Sequence, residues 1–311
     1  MARVFLITSS YMGVLLIDEL IKAKDKIVGV VAWPIEDYPY YTPPEYNVRT
    51  KTFKNYLPLY EPDPNELNSK EFIKIIKDLN PDFIVSGYYP KLFSKQILEI
   101  PSGGCINIHP TGLPRFRGLS PYFTHMLFGD EYNYITLHWL DSGADTGDII
   151  SIASVKIFPE DTGFTCGHRL TEEAAGMFNN NWPLIKKGVA PRQKQDESIA
   201  SNFNFDWSIS EINWQKGAIE IFNLVRSITK PYDGAWTILG KHKIHVWKSE
   251  IVNNSKSLEP GTIISIDGKG LCVQCGRGQL IITDLSIDGI NISPLNLLIE
   301  LGKKYSIKLG N

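Results

Sequence analysis

The stretch "INIHPTGLPRFRG" ends an apolar run with Asn107 and His109 two residues apart, directly before a loop punctuated by Pro and Arg. On a strand, residues two apart share a face, so an amide and an imidazole would project side by side where the strand stops. Downstream, "DSGADTGDII" carries Asp145 in a Gly-containing turn between the strand-like runs "YITLHWL" and "IISIASV". A tight turn of this kind holds a carboxylate rigidly. Brought together, Asn107, His109 and Asp145 supply an oxyanion donor, a proton acceptor and an orienting charge. No partnered Ser or Cys nucleophile accompanies them, since G-x-S-x-G is absent and Cys105 lies inside the strand. The set therefore suits an enzyme whose substrate brings its own nucleophile. One His and one Asp lack the third ligand that a catalytic zinc needs, so no metal is expected.

The elements that must position these residues read as strands alternating with amphipathic helices. "RVFLIT", "KIVGVVAW", "PDFIVSGYY" and "GCINIH" have buried-strand patterns, and "MGVLLIDELIKAK" and "SKEFIKIIKDLN" have helical spacing. Such alternation predicts a Rossmann-like, doubly wound α/β domain with a parallel sheet. Ligands of these sheets bind beyond the carboxyl ends of the strands, where Ser86, Gly87, Tyr88 and Tyr89 stand beside Asn107 and His109. The stretch from Pro34 to Pro64, rich in Pro, Tyr and charge, reads as a long loop with little regular structure, a candidate substrate lid. Short strands with Gly turns near the C-terminus predict a small OB-like β-barrel. The expected division is a catalytic domain over 1–190, a polar linker over 191–210 and the barrel over 211–311.

Several classes are excluded. The opening turn "TSSYMG" lacks G-x-G-x-x-G and no acidic residue ends the second strand, which argues against a dinucleotide-dependent dehydrogenase. The turn still presents helix amides beside Ser9, Ser10 and Gly13, able to receive a phosphate. The chain has 311 residues, with 32 basic against 34 acidic side chains and a formal charge of −2, unlike a protein built to grip nucleic acid. No signal peptide and no membrane span is evident, so a cytoplasmic protein is expected. Cys272 and Cys275 form C-x-x-C, but residues three apart on a strand face opposite ways and cannot share a metal. Histidines 125, 138, 168, 242 and 245 read as packing or surface residues.

"NIHPTGLPRFRG" together with "DSGADTG" resembles the N10-formyltetrahydrofolate-dependent formyltransferase family. That family's pattern is N-x-H-x-S-x-L-P-x-[YF]-R-G followed by D-x-G-x-D-x-G; Thr111 stands where Ser is more frequent. The resemblance implies that Asn107, His109 and Asp145 are the catalytic residues, with His109 either base or oxyanion donor. It implies N10-formyltetrahydrofolate as co-substrate, contacted by Ser86, Gly87, Tyr88, Tyr89, Arg115, Phe116, Arg117, Gly118 and Asp141. It also implies a cis Leu113–Pro114 bond.

The C-terminal stretch from "INWQKGAIEIF" to "CGRGQLII" is similar to the barrel shared by methionyl-tRNA formyltransferases and by the enzyme that formylates UDP-4-amino-4-deoxy-L-arabinose. "SSYMG" and "SGYYPKLF" resemble the sugar branch, and the Pro34–Pro64 stretch has Tyr, Pro, Glu36, Asp37 and Glu45 where tRNA enzymes carry a basic insertion. The acceptor expected from this resemblance is a dTDP- or UDP-linked 4-amino sugar destined for surface polysaccharide or lipopolysaccharide. The nucleotide sugar would meet Ser9, Ser10, Tyr11, Met12, Gly13 and Arg226. Related sugar enzymes suggest a homodimer. The alternative is a methionyl-tRNA formyltransferase.

Overall fold

The computed structural model describes residues 1–33, 44–63, 65–252, 258–294, 296–297 and 308–310. The chain divides into two compact units, one of residues 1–122, 132–156 and 167–205, the other of 123–131, 157–166 and 206–311. The crossing into the second unit at 205/206 falls inside the expected linker. Most of that linker, through Phe205, therefore belongs to the first unit.

The first unit is built on a seven-stranded sheet of β1 (Arg3–Thr8), β2 (Lys26–Ala32), β3 (Leu59–Tyr60), β4 (Phe83–Gly87), β5 (Cys105–His109), β6 (Tyr132–Trp139) and β7 (Ile149–Lys156), in the order β3-β2-β1-β4-β5-β6-β7. The pairs from β3 to β5 are parallel, as the alternating pattern predicts. The last two strands depart from an all-parallel sheet: β6 runs antiparallel to β5, and β7 to β6. The nine-residue connection from β6 to β7 is too short for a crossover helix, which a parallel return would require.

The two faces bury different partners. Val4, Leu6, Val85, Ile106, Ile108, Ile135 and Leu137 pack with α1 (Ser10–Lys22) and the long α6 (Gly163–Lys186), including Leu170, Phe178 and Trp182. Phe5, Ile7, Val28, Ile84 and Cys105 pack with Phe72, Ile73 and Ile76 of α3 (Lys70–Leu79). Period-two alternation then assigns Asn107 and His109 to the α3 side of β5.

Within the Pro34–Pro64 stretch, residues 34–43 and 64, with Glu36 and Asp37, lie outside the described residues. The remainder is more regular than expected. A short 3-10 turn at Pro44–Tyr46 leads to α2 (Val48–Lys54), and β3 extends the sheet. Asn47 caps α2 by accepting the Thr50 amide at 3.0 Å, satisfying a donor that the helix start would leave orphaned.

The second unit holds an antiparallel sheet of β8 (Ala235–Leu239), β9 (His242–Val252), β10 (Ile263–Asp267), β11 (Gly270–Gln274) and β12 (Gln279–Ile287), in the order β10-β11-β12-β9-β8, with β13 (Ile290–Ile292) on β12 and α7 (Ala218–Ile228) beside β9. The barrel-like closure comes from Leu309 and Gly310, whose amides bond the carbonyls of Gly261 and Ile238 on the two outer edges. All four cysteines are free and buried; burial pushes the Cys105 and Cys275 thiols up to about 12, so they pack rather than react. Among the described residues no helix is long and apolar enough to cross a membrane.

Gly147, in the β6–β7 turn, tolerates no side chain, because a Cβ there would sit 1.8 Å from the Trp139 carbonyl oxygen. Gly147→Ala is expected to cost about 1–3 kcal/mol, the usual penalty of overpacking. A lowered urea midpoint with unchanged slope would register that loss.

Candidate active site

The first unit brings Asn107, His109 and Asp145 together. His109 is 4% exposed, and its Nδ1 lies 3.5 Å from Asp145 Oδ1. Its Nε2 lies 3.0 Å from the Phe116 carbonyl oxygen, which can only accept, so Nε2 carries a proton. Nδ1 is then the nitrogen left to gain or lose one, and it does so beside a carboxylate. Burial lowers the His109 pKa; the Asp145 charge and the Phe116 carbonyl pull it up without reversing that, and His138 lowers it further. The ring therefore rests neutral near pH 7.

Asp145 is held from several sides at a positive φ of 55°. Its Oδ2 accepts the Gly118 amide at 3.0 Å, and Oδ1 lies 3.6 Å from His138 Nε2 and 3.5 Å from Asn107 Nδ2. Burial alone would raise this carboxyl, but His109 and the Gly118 amide outweigh it and hold the pKa at about 2. Gly118 has to be glycine: its φ is 99°, and a Cβ would approach Asn204 Oδ1 to 2.5 Å.

His138 is the site residue that sequence reasoning missed. It pairs with Asn107 across the antiparallel β5–β6 ladder and so shares its face. Nδ1 donates to the Trp139 carbonyl at 2.9 Å, which leaves the Nε2 lone pair to accept Asn107 Nδ2–H at 3.1 Å. That chain of donors fixes which way the Asn107 amide points. The signal was the His within "YITLHWL", legible only once the register of β6 on β5 is known.

The other expected contacts divide. Ser86 is buried and pairs in register with Asn107. The leucyl–prolyl bond at 113–114 is cis, and the following loop runs past the site with Phe116 at a φ of 60°. Arg115 is exposed, with its guanidinium 4.7 Å over the Phe116 ring. Arg117, expected among the folate contacts, is buried, and its guanidinium is taken by Gln195 and the Glu197 carboxylate. It braces the loop. Asp141 accepts from the Gly143 amide and the Thr146 hydroxyl, shaping its own turn.

Tyr88 and Tyr89 part company. Tyr88 packs with the α6 layer, its hydroxyl 3.2 Å from that of Thr171, whereas Tyr89 packs on the α3 side against Trp33. Gly87 sits on the α6 side as well, where a Cβ would come within 2.9 Å of Met12.

At the opening turn, Met12 is fully buried and Gly13 is pressed against Thr8 and Val48, so both belong to the core rather than to an open surface. Ser9 spends its hydroxyl on the Tyr88 carbonyl at 2.6 Å instead of capping α1. Ser10 and Tyr11 remain partly exposed. The Tyr11 ring stacks on His168 at 4.4 Å and lies 4.4 Å from Tyr46. Arg226 lies in the second unit, bonded to Asn223 Oδ1 and the Phe158 carbonyl.

Comparison with known proteins bears directly on this site. A curated methionyl-tRNA formyltransferase from Halothermothrix orenii is 36% identical over 232 residues, covering 72% of this chain and 73% of that protein. The solved N-formyltransferase from Helicobacter canadensis, in complex with folinic acid and dTDP-3-aminofucose, superposes with a TM-score of 0.65 at 19% identity, over 91% of this chain and 99% of that one. A methionyl-tRNA formyltransferase structure from Clostridium thermocellum gives 0.55 at 20% identity, over 82% and 96%. At these identities the two structures speak for the fold. Residues 3–180, which span the whole Asn107–His109–Asp145 cluster, match the formyl transferase family, and residues 208–299 match the formyl transferase C-terminal domain. The chain belongs to the formyl transferase family.

Proposed function

We propose that this enzyme moves the formyl group of N10-formyltetrahydrofolate onto the amine of a nucleotide-linked amino sugar, with Asn107, His109 and Asp145 carrying the transfer. The supporting observation is a buried imidazole whose one variable nitrogen faces a carboxylate held at about 2, with no side-chain nucleophile in the cluster. The amine nitrogen attacks the formyl carbon while the carbonyl electrons move onto oxygen. Asn107 Nδ2–H exchanges its long contact to Asp145 for the oxyanion. Neutral His109 takes the amine proton at Nδ1, and the resulting imidazolium is stabilised by Asp145. Collapse of the intermediate breaks the carbon–N10 bond, and the proton returns to N10. The products are a formamide and tetrahydrofolate, with atoms and charge balanced.

Charge and shape support this acceptor. A tRNA acceptor favours a basic surplus, and this chain has none. The Tyr11–His168–Tyr46 cluster at the start of α1 offers an aromatic surface suited to a nucleobase, beside amides suited to its phosphates. The specific observation favouring a second reading, methionyl-tRNA, is the 36% identity to the Halothermothrix orenii enzyme.

Competition decides between them. With N10-formyltetrahydrofolate as donor, dTDP- or UDP-linked 4-amino sugars are expected to gain the formyl group when offered alongside methionyl-tRNA. Formylation of the tRNA with none on any nucleotide sugar would establish the second reading instead.

A further inference from the structure

The strand of chain leaving α6 has the composition of a loose polar linker, yet it is laced along the site loop. The Arg117 and Phe203 amides bond the carbonyls of Ser201 and Arg117, the Phe205 amide bonds Leu119, and Gln193 and Ile149 exchange amide–carbonyl bonds. Gln195 stands at the centre of this lacing. Its Oε1 accepts from Arg117 Nε at 3.0 Å and Nη2 at 2.8 Å. Its Nε2 donates to the carbonyl oxygens of Asp145 at 2.7 Å and Gly147 at 2.8 Å. A guanidinium can only donate and a backbone carbonyl can only accept, so the amide orientation is set by chemistry and its hydrogen-bonding capacity is filled.

We propose that Gln195 is a positioning residue for formyl transfer, clamping the turn that carries Asp145 to the loop that carries Arg117 and Gly118. The two segments it joins are those that hold the Asp145 carboxylate: the turn sets its backbone, and the Gly118 amide takes its Oδ2. Asp145 sits at a φ of 55°, a conformation that persists in a non-Gly residue only when its surroundings impose it. Gln195 binds the carbonyl of that same residue. Without the clamp the turn relaxes, and the carboxylate leaves His109 Nδ1, to which it is already only loosely matched at 3.5 Å.

This inference rests on the proposed catalytic role of Asp145, so the test pairs variants at both positions. The donor is N10-formyltetrahydrofolate; the acceptor is a dTDP-linked 4-amino sugar or methionyl-tRNA, whichever the wild-type enzyme uses. Gln195→Met keeps the length of the side chain and removes both arms of the clamp. Its kcat is expected to fall by about 100-fold, the scale of a 1 Å misplacement, with the KM for the formyl donor unchanged. Gln195→Glu keeps the acceptor for Arg117 but turns an oxygen toward the two carbonyls, and it should lose kcat in the same way. It decides the matter alone should Gln195→Met fail to fold. A loss confined to melting temperature, or one carried by KM, overturns the clamp. Wild-type kcat in the Gln195 variants beside an impaired Asp145→Asn enzyme overturns it while leaving the site reading intact. Wild-type kcat in all of them overturns both.

Discussion

Replacing His109 with Asn is expected to lower turnover by about 100- to 10,000-fold, the contribution of a positioned proton acceptor. Asn is too short to replace Nε2–H at the Phe116 carbonyl, but that carbonyl also accepts from the Thr111 hydroxyl at 3.2 Å, so the backbone of the site loop keeps a partner. It cannot take a proton from an attacking amine near neutral pH. The wild-type imidazole is buried and its pKa lowered, so the base is already in its neutral form at pH 7. The acid limb of kcat/KM should therefore lie below the ordinary histidine value of about 6.5 and vanish in the variant. Single-turnover rates against pH, with a melting curve for each protein, provide the measurement. Unchanged chemistry in folded His109→Asn would remove this residue from the mechanism.

Asp145→Asn is expected to cost about 100- to 1,000-fold, somewhat less, because it weakens the base rather than deleting it. The Asp145 charge raises the His109 pKa, so its removal moves the remaining acid limb to still lower pH. The imidazolium formed during transfer loses its counter-charge at the same time. Stability carries a separate signature. The Asp145 pKa is depressed to about 2 in the folded protein, against about 3.9 in an unfolded chain. The carboxylate thus stabilises the fold above about pH 4, and that share is lost as pH falls toward 2. Denaturant titrations between those values should show a steeper acid loss for the wild type than for Asp145→Asn. Parallel curves with full activity would mean that the carboxylate neither stabilises nor assists.

The residues of the site differ in how plainly the sequence declares them. Asn107, His109 and Asp145 declare themselves because their chemistry is written in short segments whose residue types and turn glycines stand close together. His138 does not, because its meaning depends on which residue of β6 lies opposite Asn107, a pairing set between segments about 30 residues apart. Gln195 is harder still. It sits in a polar stretch without periodicity, and its partners are about 50 to 80 residues away.

Other differences have equally local causes. Tyr88 and Tyr89 directly follow β4, and Tyr88 takes a positive φ of 58° that turns the chain there, so the two rings part to different sides of the sheet. The second half of the Pro34–Pro64 stretch reads as loop because β3 is only two residues long and α2 is rich in Thr and Lys without a strong apolar stripe. The alternating strands and helices of the first unit were plain, as was the antiparallel character of the second. The reversal at β6 was hidden, since an apolar run looks alike whichever way it points.

The lacing of 191–205 onto the site loop has a consequence for recombination. A chimaeric enzyme that takes its C-terminal residues from a relative has its natural crossover after Phe205, where the chain passes to the second unit for the last time. A junction near residue 190, where helix gives way to polar sequence, would import a foreign strap. It would discard Gln195, Glu197, Ser201 and Asn204, each bonded to the loop between Phe116 and Leu119. Such a hybrid could fold in both halves and still be slow, its active site assembled from two lineages whose facing edges never evolved together.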